Sequence, residues 1–470
     1  MEAALVRNVD ETEASRRPPH DDAQTEAQDE ARREQGTDGW EGHSTHAKHR
    51  LNSSSTRMRI LYVTQNYLPE MGAGPGRISE MAREWVAAGH RVTVLAPVPN
   101  APTGVIPPEF RGHWLFRDVD AYGVEATRTW IYTAPNRGRV RRSLAFVSFA
   151  VISTIAGVSA LERPDVIIGS SPQLLAAVGA LAIGKLRRVP WVFEVRDLWP
   201  ESIVAVGAMP ASSPVVRVLG SVSDAMYRNA DRIVVVTEAF REELVSRGIP
   251  ASKIAFVPNG VDLQRFVPCA AAPEDRREMG GEARFVVSYL GTHGMAHDLG
   301  RLLDVAARMK SRRDVAFAFV GEGAERKSLE ERARREGLDN VRFLGVQPRE
   351  RMPRLYAASD LCVVPLRNSE LFTTVLPSKI FEIMGMAKPI VVAVDGEARR
   401  VVEQARAGRF AAPGDSGALH QAIASLLADP QSLPAYGERG REFVAREFNR
   451  RTLAGRYLEI LQGVVGPAKA

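Results

Sequence analysis

Short runs of wholly apolar residues, each followed by a helical segment, constrain this chain more than any other feature. Ile60-Leu61-Tyr62-Val63, Val166-Ile167-Ile168, Trp191-Val192-Phe193, Ile233-Val234-Val235-Val236 and Ile254-Ala255-Phe256-Val257 show no polar alternation. A strand of this kind is buried on both faces and belongs to a parallel sheet with helices on either side. Arg91-Val92-Thr93-Val94-Leu95 resumes as a strand after the periodic segment Ile78 to Ala88. The alternation pauses over Pro268 to Gly281, a stretch rich in Pro, Ala, Gly and charge that reads as a linker. It restarts at Phe285-Val286-Val287-Ser288-Tyr289-Leu290. It then continues through Val315 to Val320, Val341-Arg342-Phe343, Leu361 to Val364 and Ile390-Val391-Val392. The expectation is an α/β chain of two doubly wound, Rossmann-like domains facing across a cleft. The expected bounds are a first domain over 58–267, a linker over 268–283 and a second domain over 284–440. A helical segment over 441–470 should pack back on the first domain, with Leu433 to Leu461 reading as helices. Open parallel sheets bind ligands beyond the carboxyl ends of their strands, so the cleft is the natural site.

A chain of 470 residues has room for two such cores. Residues 1–57 differ from the rest: they hold 12 acidic and 8 basic residues, with Trp40 as their one aromatic. Such a segment cannot bury enough apolar surface to offset its ordering entropy. It is expected to be a disordered tail or an over-extended start ahead of Met58, and it lacks the apolar core of a secretory signal. The whole chain carries +6, so residues 58–470 carry +10. A basic body attracts phosphorylated substrates or an anionic membrane, and no nucleic-acid motif appears. Cys269 and Cys362 stand far apart without metal-ligand spacing, which fits a reducing compartment and offers neither a disulfide framework nor a zinc site.

The segment Leu376 to Pro389 carries the most chemistry. Pro377-Ser378-Lys379 stands at a helix start, where free N–H groups and the helix dipole favour a phosphate. Glu382 falls at i+4 from Ser378, on the same face, where it can accept hydrogen bonds from a sugar or ribose. The glycines of Gly72-Ala73-Gly74-Pro75-Gly76-Arg77 either form a tight turn or let backbone N–H groups approach a phosphate. Phe193 to Glu201 sets Glu194, Arg196, Asp197 and Glu201 just past a buried strand, as cleft groups or as ion pairs of the structure. Gly321-Glu322-Gly323 and Gly291-Thr292-His293-Gly294 are each a turn or a ligand loop, with His293 on a phosphate or facing solvent. Ser143 to Leu161 runs without a charge and follows Arg137, Arg139, Arg141 and Arg142. Its serines, threonine and glycine favour a buried or surface-docking helix over a span, and the arginines suit an anionic leaflet or a diphosphate-lipid acceptor.

These residues together resemble the glycosyltransferases of family 4, of the two-domain GT-B fold, over residues 58–461. The most specific parts are Val257-Pro258-Asn259-Gly260-Val261-Asp262, Gly321-Glu322-Gly323, Val341-Arg342-Phe343-Leu344-Gly345 and Phe381 to Pro389. The form of Glu194 to Ser202 and the Pro-Ser-Lys start resemble the bacterial fucosamine transferases of O-antigen and capsule assembly. The resemblance implies retaining transfer of a sugar, such as N-acetylfucosamine, from a nucleoside diphosphate, UDP, to a polyprenyl-diphosphate-linked or glycan acceptor. It implies no essential metal or cofactor beyond the nucleotide sugar as co-substrate. It also implies a cytoplasmic protein, peripheral on the inner face of the plasma membrane. Carried over, Arg196, Asp197, Lys379 and Glu382 would be catalytic. Gly72, Gly74, Gly76, Gly291, Thr292, His293, Gly321, Glu322, Gly323, Phe343, Thr374 and Ser378 would join Lys379 and Glu382 in binding the donor. Where the family has two glutamates separated by seven residues, Glu382 matches the second and the first falls on Thr374. The family's usual Arg and Lys for the diphosphate fall on Thr292 and His297, which leaves more of the phosphate charge to Lys379. The common His-Asp pair reads Arg196-Asp197. A sugar-nucleotide epimerase and a non-catalytic sugar-nucleotide-binding subunit are the competing readings.

Overall fold

A computed structural model describes residues 57–466 apart from 71, 101–103, 134–138, 206 and 208. The tail expected over 1–57 therefore lies outside the described residues, Arg57 excepted.

The first sheet is 8-stranded: β1 (Arg59–Val63), β2 (Arg91–Pro97), β3 (Leu115–Val119), β4 (Glu125–Thr129), β5 (Val166–Ser170), β6 (Trp191–Val195), β7 (Arg232–Val235) and β8 (Ile254–Phe256). Their order is β3-β4-β2-β1-β5-β6-β7-β8, parallel throughout except that β3 runs antiparallel to β4. Helices α1 (Ala73–Ala87), α2 (Arg139–Ser159), α3 (Leu174–Arg187), α4 (Glu201–Ala205), α5 (Pro214–Asn229) and α6 (Glu238–Ser246) make the connections. Ile60 of β1 pairs with Val92 on one side and Val166 on the other, so the central strand is covered completely.

The glycine loop departs from expectation. Helix α1 begins at Ala73, so Gly74, Pro75 and Gly76 form its first turn rather than a preceding loop. Proline suits that turn because its missing N–H has no intrahelical partner there.

The second sheet is 6-stranded, with order β11-β10-β9-β12-β13-β14. It comprises β9 (Phe285–Leu290), β10 (Val315–Val320), β11 (Val341–Leu344), β12 (Leu361–Pro365), β13 (Ile390–Ala393) and β14 (Gly408–Phe410). Its helices are α7 (Pro273–Gly280), α8 (Leu299–Arg308), α9 (Arg326–Arg335), α10 (Met352–Ala357), α11 (Lys379–Gly385), α12 (Glu397–Ala405) and α13 (Ser416–Ala428). The stretch read as a linker contains α7. Asp275 on that helix is buried and receives Arg351 at 2.7 Å and Arg354 at 2.7 Å, which fastens the segment to the second sheet's body.

Two final helices, α14 (Leu433–Glu447) and α15 (Arg450–Val465), divide their allegiance. Helix α14 runs through the boundary expected at 440/441 and packs on α11, where a Cβ on Gly437 would lie 1.9 Å from the carbonyl oxygen of Ala387. The chain then crosses to the first domain at Phe448-Asn449. Val261 N–H donates to Phe448 O and Arg450 N–H to Val261 O, both at 3.0 Å. The Asn449 side chain caps α15 by accepting from Arg451 N–H. Helix α15 then lies on α1: Trp85 and Tyr457 meet edge to face at 5.2 Å, and the Trp85 indole donates to Ala454 O.

Candidate active site

Each sheet reverses its winding once. In the first, β1 lies between β2 and β5; in the second, β9 lies between β10 and β12. Crevices open where successive connections leave on opposite faces. The segments after β1 and β9, which hold Gly72 to Gly76 and Gly291 to Gly294, stand at those two points.

On the second sheet the loops after β9 and β10 are laced by backbone bonds. His293 N–H donates to Glu322 O at 2.8 Å, and Glu325 N–H to His293 O at 2.9 Å. A Cβ on Gly321 would lie 1.9 Å from Gly291 O, and one on Gly323 would lie 2.4 Å from His293 O. Glycine at 321 and 323 is thus demanded by the approach of one backbone to another, which is the turn reading of Gly321-Glu322-Gly323. The Glu322 carboxylate is half exposed and paired with Arg326. Phe343 stacks on Phe319 at 5.0 Å and meets the His293 ring at 6.4 Å.

His293 does not face solvent: it is 0% exposed. Neither ring nitrogen has a hydrogen-bond partner among the described residues. Burial first, then repulsion from Arg326, lowers its pKa to about 4, so the ring is neutral at physiological pH. Burial likewise takes His297 down to about 3, with Lys379 adding repulsion. The loop where the family pattern expects two cations therefore supplies neutral imidazole and the hydroxyl of Thr292.

Lys379, the first residue of α11, brings the cation to this loop. Its Nζ is sealed from water, has no hydrogen-bond partner among the described residues, and lies 3.9 Å from the Tyr289 ring centre. Burial lowers its pKa to about 7, an effect that Glu382 partly opposes. The Tyr289 hydroxyl is already donated to Thr292 O at 2.7 Å. A Cβ on Gly291 would lie 2.6 Å from the ammonium nitrogen, so that glycine makes the room Lys379 occupies. Ser378 stands at the N-cap with no capping bond from its side chain.

Glu382 accepts a hydrogen bond from the Tyr356 hydroxyl at 2.9 Å. Burial raises its pKa, and the like charge of Glu80 adds to that. The Tyr356 bond, Arg349 and Lys379 pull the other way. Glu80 belongs to α1 of the first domain, so the two domains meet electrostatically at this carboxylate. Glu80 is itself paired with Arg349 from the second domain and, at 2.9 Å, with Arg450 of α15. Sequence reasoning missed Tyr356, Glu80 and Arg349, because nothing local to any of them marks its partner.

On the first-domain side, a Cβ on Gly74 would lie 2.5 Å from Arg196, and one on Gly76 would lie 2.7 Å from Arg349. The Arg196 guanidinium donates to Ser171 O at 2.8 Å, and the Ser171 hydroxyl oxygen accepts from the N–H groups of Arg196 and Asp197. Burial raises the Asp197 carboxyl to about 6 against hydrogen bonds from Ser202 and Trp199. Glu194 takes the structural role instead: it is buried, paired with Arg77 at 3.0 Å and bonded by Tyr62. Glu201 pairs with Arg247 at 2.9 Å. Thr374 lies on the segment between β12 and α11. Its hydroxyl donates to Leu371 O, and it lines a cavity of about 580 Å³ between α6 and α12.

Comparison with known proteins fits this geometry. Residues 73–260 match the family model of the glycosyl transferase 4-like domain, and residues 284–429 match that of glycosyl transferases group 1. The chain is a family 4 glycosyltransferase of the GT-B fold. It is 23% identical over 418 residues to a protein of Escherichia coli (strain K12) named for colanic acid biosynthesis as a glycosyl transferase, WcaI, covering 86% of this chain and 100% of that one. It is 28% identical over 426 residues to D-inositol 3-phosphate glycosyltransferase 2 of Catenulispora acidiphila, with 84% and 92% covered. Its fold matches that of Anabaena HepE in complex with UDP and glucose at a TM-score of 0.63 and 21% identity, with 86% and 100% covered. As a GT-B transferase the chain acts on a nucleotide sugar, and its two doubly wound domains are the expected pair.

Proposed function

We propose that this glycosyltransferase moves a sugar from a UDP-linked donor, with retention, to a lipid-linked or glycan acceptor in the assembly of a cell-surface polysaccharide. The observation that carries the reading is the Lys379 ammonium, sealed from water at the β9/β12 switch point without a hydrogen-bond partner among the described residues. A cation held that way costs free energy unless an anion completes it, and the donor diphosphate is that anion. Lys379 and the amides around Ser378 then stabilise the charge that develops on the leaving diphosphate. Glu382, held by Tyr356, accepts from the ribose, and His293 lends a neutral ring at the donor. The acceptor enters over Gly74, Arg196 and Asp197. The preference for an amino sugar such as N-acetylfucosamine rests on the form of Glu194 to Ser202, and the polysaccharide setting on the name of the Escherichia coli relative. Retention, and chemistry without an essential metal, follow from the family pattern.

A thermal-shift panel of UDP-, GDP- and dTDP-sugars fixes the donor class. Calorimetry on Glu382→Ala tests the site: loss of one carboxylate's hydrogen bonds should weaken donor binding about 10- to 100-fold. Unchanged affinity would remove Glu382 from the ribose.

A further inference from the structure

The cavity of about 580 Å³ between α6 and α12 is built from both domains, and its walls share one hydrogen-bonding sense. Helix α6 starts just past the carboxyl end of β7, and α12 just past that of β13. The cavity therefore opens at the carboxyl-end rims of both sheets, where ligands of parallel sheets bind. Its size falls within the roughly 300–1,000 Å³ common for small-molecule sites. A third wall is the turn Glu370–Thr374. A Cβ on Gly396 would lie 2.0 Å from Thr373 O, at a φ of +73, so this turn and the start of α12 touch through their backbones.

The hydroxyls on these walls have already given up their protons. Thr373 donates to Glu370 O and Thr374 to Leu371 O, both at 2.7 Å, and Ser246 donates to Glu243 O at 2.8 Å. A hydroxyl has a single proton, so toward the cavity these oxygens only accept. Glu397 is 8% exposed and is held from both domains. The Ala239 N–H of α6 donates to its Oε1 at 3.1 Å, and Arg400 donates to both of its oxygens at 2.7 Å. A carboxylate has about four acceptor positions, so one on Oε2 is left over among the described residues. Glu242 and Glu243 add two carboxylates to the α6 wall, against the half-exposed Arg400. Such a lining repels a phosphate and calls for a ligand that donates hydrogen bonds. A neutral polyol does so through every hydroxyl.

We infer that this cavity seats the sugar of the nucleotide donor and that Glu397 is its specificity-determining residue, accepting a sugar hydroxyl through Oε2. The inference rests on the reading of Lys379 as the partner of the diphosphate. Thr374 stands five residues ahead of Lys379 on the segment leading into α11, hence no more than about 18 Å from it along the chain. Arg400 and the Ala239 amide fix the Glu397 carboxylate before the sugar arrives, so little side-chain freedom is lost on binding. A sugar without the matching hydroxyl would leave a buried charged acceptor unpaired, which is how such a site discriminates. Because Ala239 belongs to the first domain, the reader of the sugar is assembled from both sides of the cleft.

The test is calorimetry on the full chain with paired probes: UDP and UDP-N-acetylglucosamine, GDP and GDP-mannose, dTDP and dTDP-glucose. Each nucleoside diphosphate lacks the sugar and so controls for its sugar-bearing partner. Glu397→Gln keeps the size of the side chain and an oxygen for the Ala239 N–H. It should weaken the bound sugar nucleotide about tenfold while leaving its nucleoside diphosphate within about twofold. Thr374→Val removes one neutral acceptor at nearly constant shape and should weaken the same sugar nucleotide about threefold, with the same control unchanged. The inference is overturned if Glu397→Gln weakens both members of a pair equally, which would make the carboxylate only a clasp between the domains. It is also overturned if neither member weakens. In both cases the reading of Lys379 stands as long as Lys379→Met loses both members. Wild-type protein that binds none of the probes would overturn that reading, and this inference with it.

Discussion

Burial disfavours the Lys379 ammonium until an anion arrives, so the proposed role of Lys379 at the donor diphosphate makes donor binding a proton-coupled event. In the free protein burial lowers its pKa to about 7, so at pH 7 about half of the molecules hold it neutral. Two phosphate charges beside Nζ favour the ammonium, so binding should take up about half a proton at pH 7 and close to one at pH 8.5. Observed affinity should follow the protonated fraction of the free protein. It is nearly flat below pH 6 and falls about tenfold per unit well above pH 7, a loss of roughly fifteenfold between pH 7 and 8.5. The ligand should be the intact nucleotide sugar, because a terminal phosphate titrates near pH 6 and would confuse the profile. His293 and His297, pushed down to about 4 and about 3, stay neutral throughout the window and cannot imitate the effect. Calorimetry in two buffers of different ionisation enthalpy counts the protons directly. Lys379→Arg should flatten the profile, since a guanidinium stays charged. A count of zero at pH 8 with flat affinity from pH 7 to 8.5 would refute the assignment of Lys379 to the diphosphate.

The same group predicts a gain in stability on its removal. The folded pKa of about 7 lies below the ordinary lysine value of 10.5. The penalty is therefore absent above pH 10.5, grows as pH falls through that window and is complete below about pH 7. Lys379→Met should accordingly stabilise the free protein by roughly 2–5 kcal/mol at pH 7 in urea denaturation. A destabilised variant would mean that the ammonium is well solvated. Gly321→Ala should cost several kcal/mol, about 3 or more, because its Cβ meets the Gly291 carbonyl at a φ of +134. Gly74→Ala, whose Cβ meets only the far end of the Arg196 side chain, should cost about 1 kcal/mol or less while moving that guanidinium. Equal melting temperatures for the two would contradict the packing described. Glu80→Gln should lose about 3–5 kcal/mol, since it strands the buried Arg450. A chemical-denaturation midpoint unchanged from wild type would show that the node is not holding the domains.

The apolar strands and the two-domain architecture could be read from sequence because both-face burial leaves an unbroken hydrophobic run. What escaped was polar or local. Strands β3 and β4 lie at the sheet's outer edge, where Leu115-Phe116-Arg117-Asp118-Val119 needs no continuous apolar run. Helix α7 was hidden in a charge-rich stretch because its apolar contacts are few and its anchor is the ion pair of Asp275 with Arg351 and Arg354. Lys379 and Glu382 were legible from their positions at a helix start. Their partners were not, because Tyr356 and Glu80 come from other elements and carry no local pattern. His293 looked like a loop residue. A signal existed in the aromatics Tyr289, Phe319 and Phe343 near the ends of three neighbouring strands, which surround a ring placed just beyond them.

The cleft glycines gain a common explanation that neither a turn nor a phosphate loop supplies. Gly74, Gly76 and Gly291 each occupy a spot where a Cβ would fall 2.5–2.7 Å from a cation delivered by another element: Arg196, Arg349 and Lys379. Glycine at these places admits a long basic side chain across the backbone at a switch point. The three cations then differ in what neutralises them. Arg349 is paired with Glu80, and Arg196 donates to Ser171 O with Glu194 only 3.8 Å away. Lys379 has an aromatic face and no hydrogen-bond partner among the described residues. An anion entering the cleft therefore gains most at Lys379, because the other two charges are already offset by carboxylates. On the proposed function, that difference would orient a nucleotide sugar with its diphosphate toward the second domain. On the same proposal, Gly74, Arg196 and Asp197 are left for the acceptor.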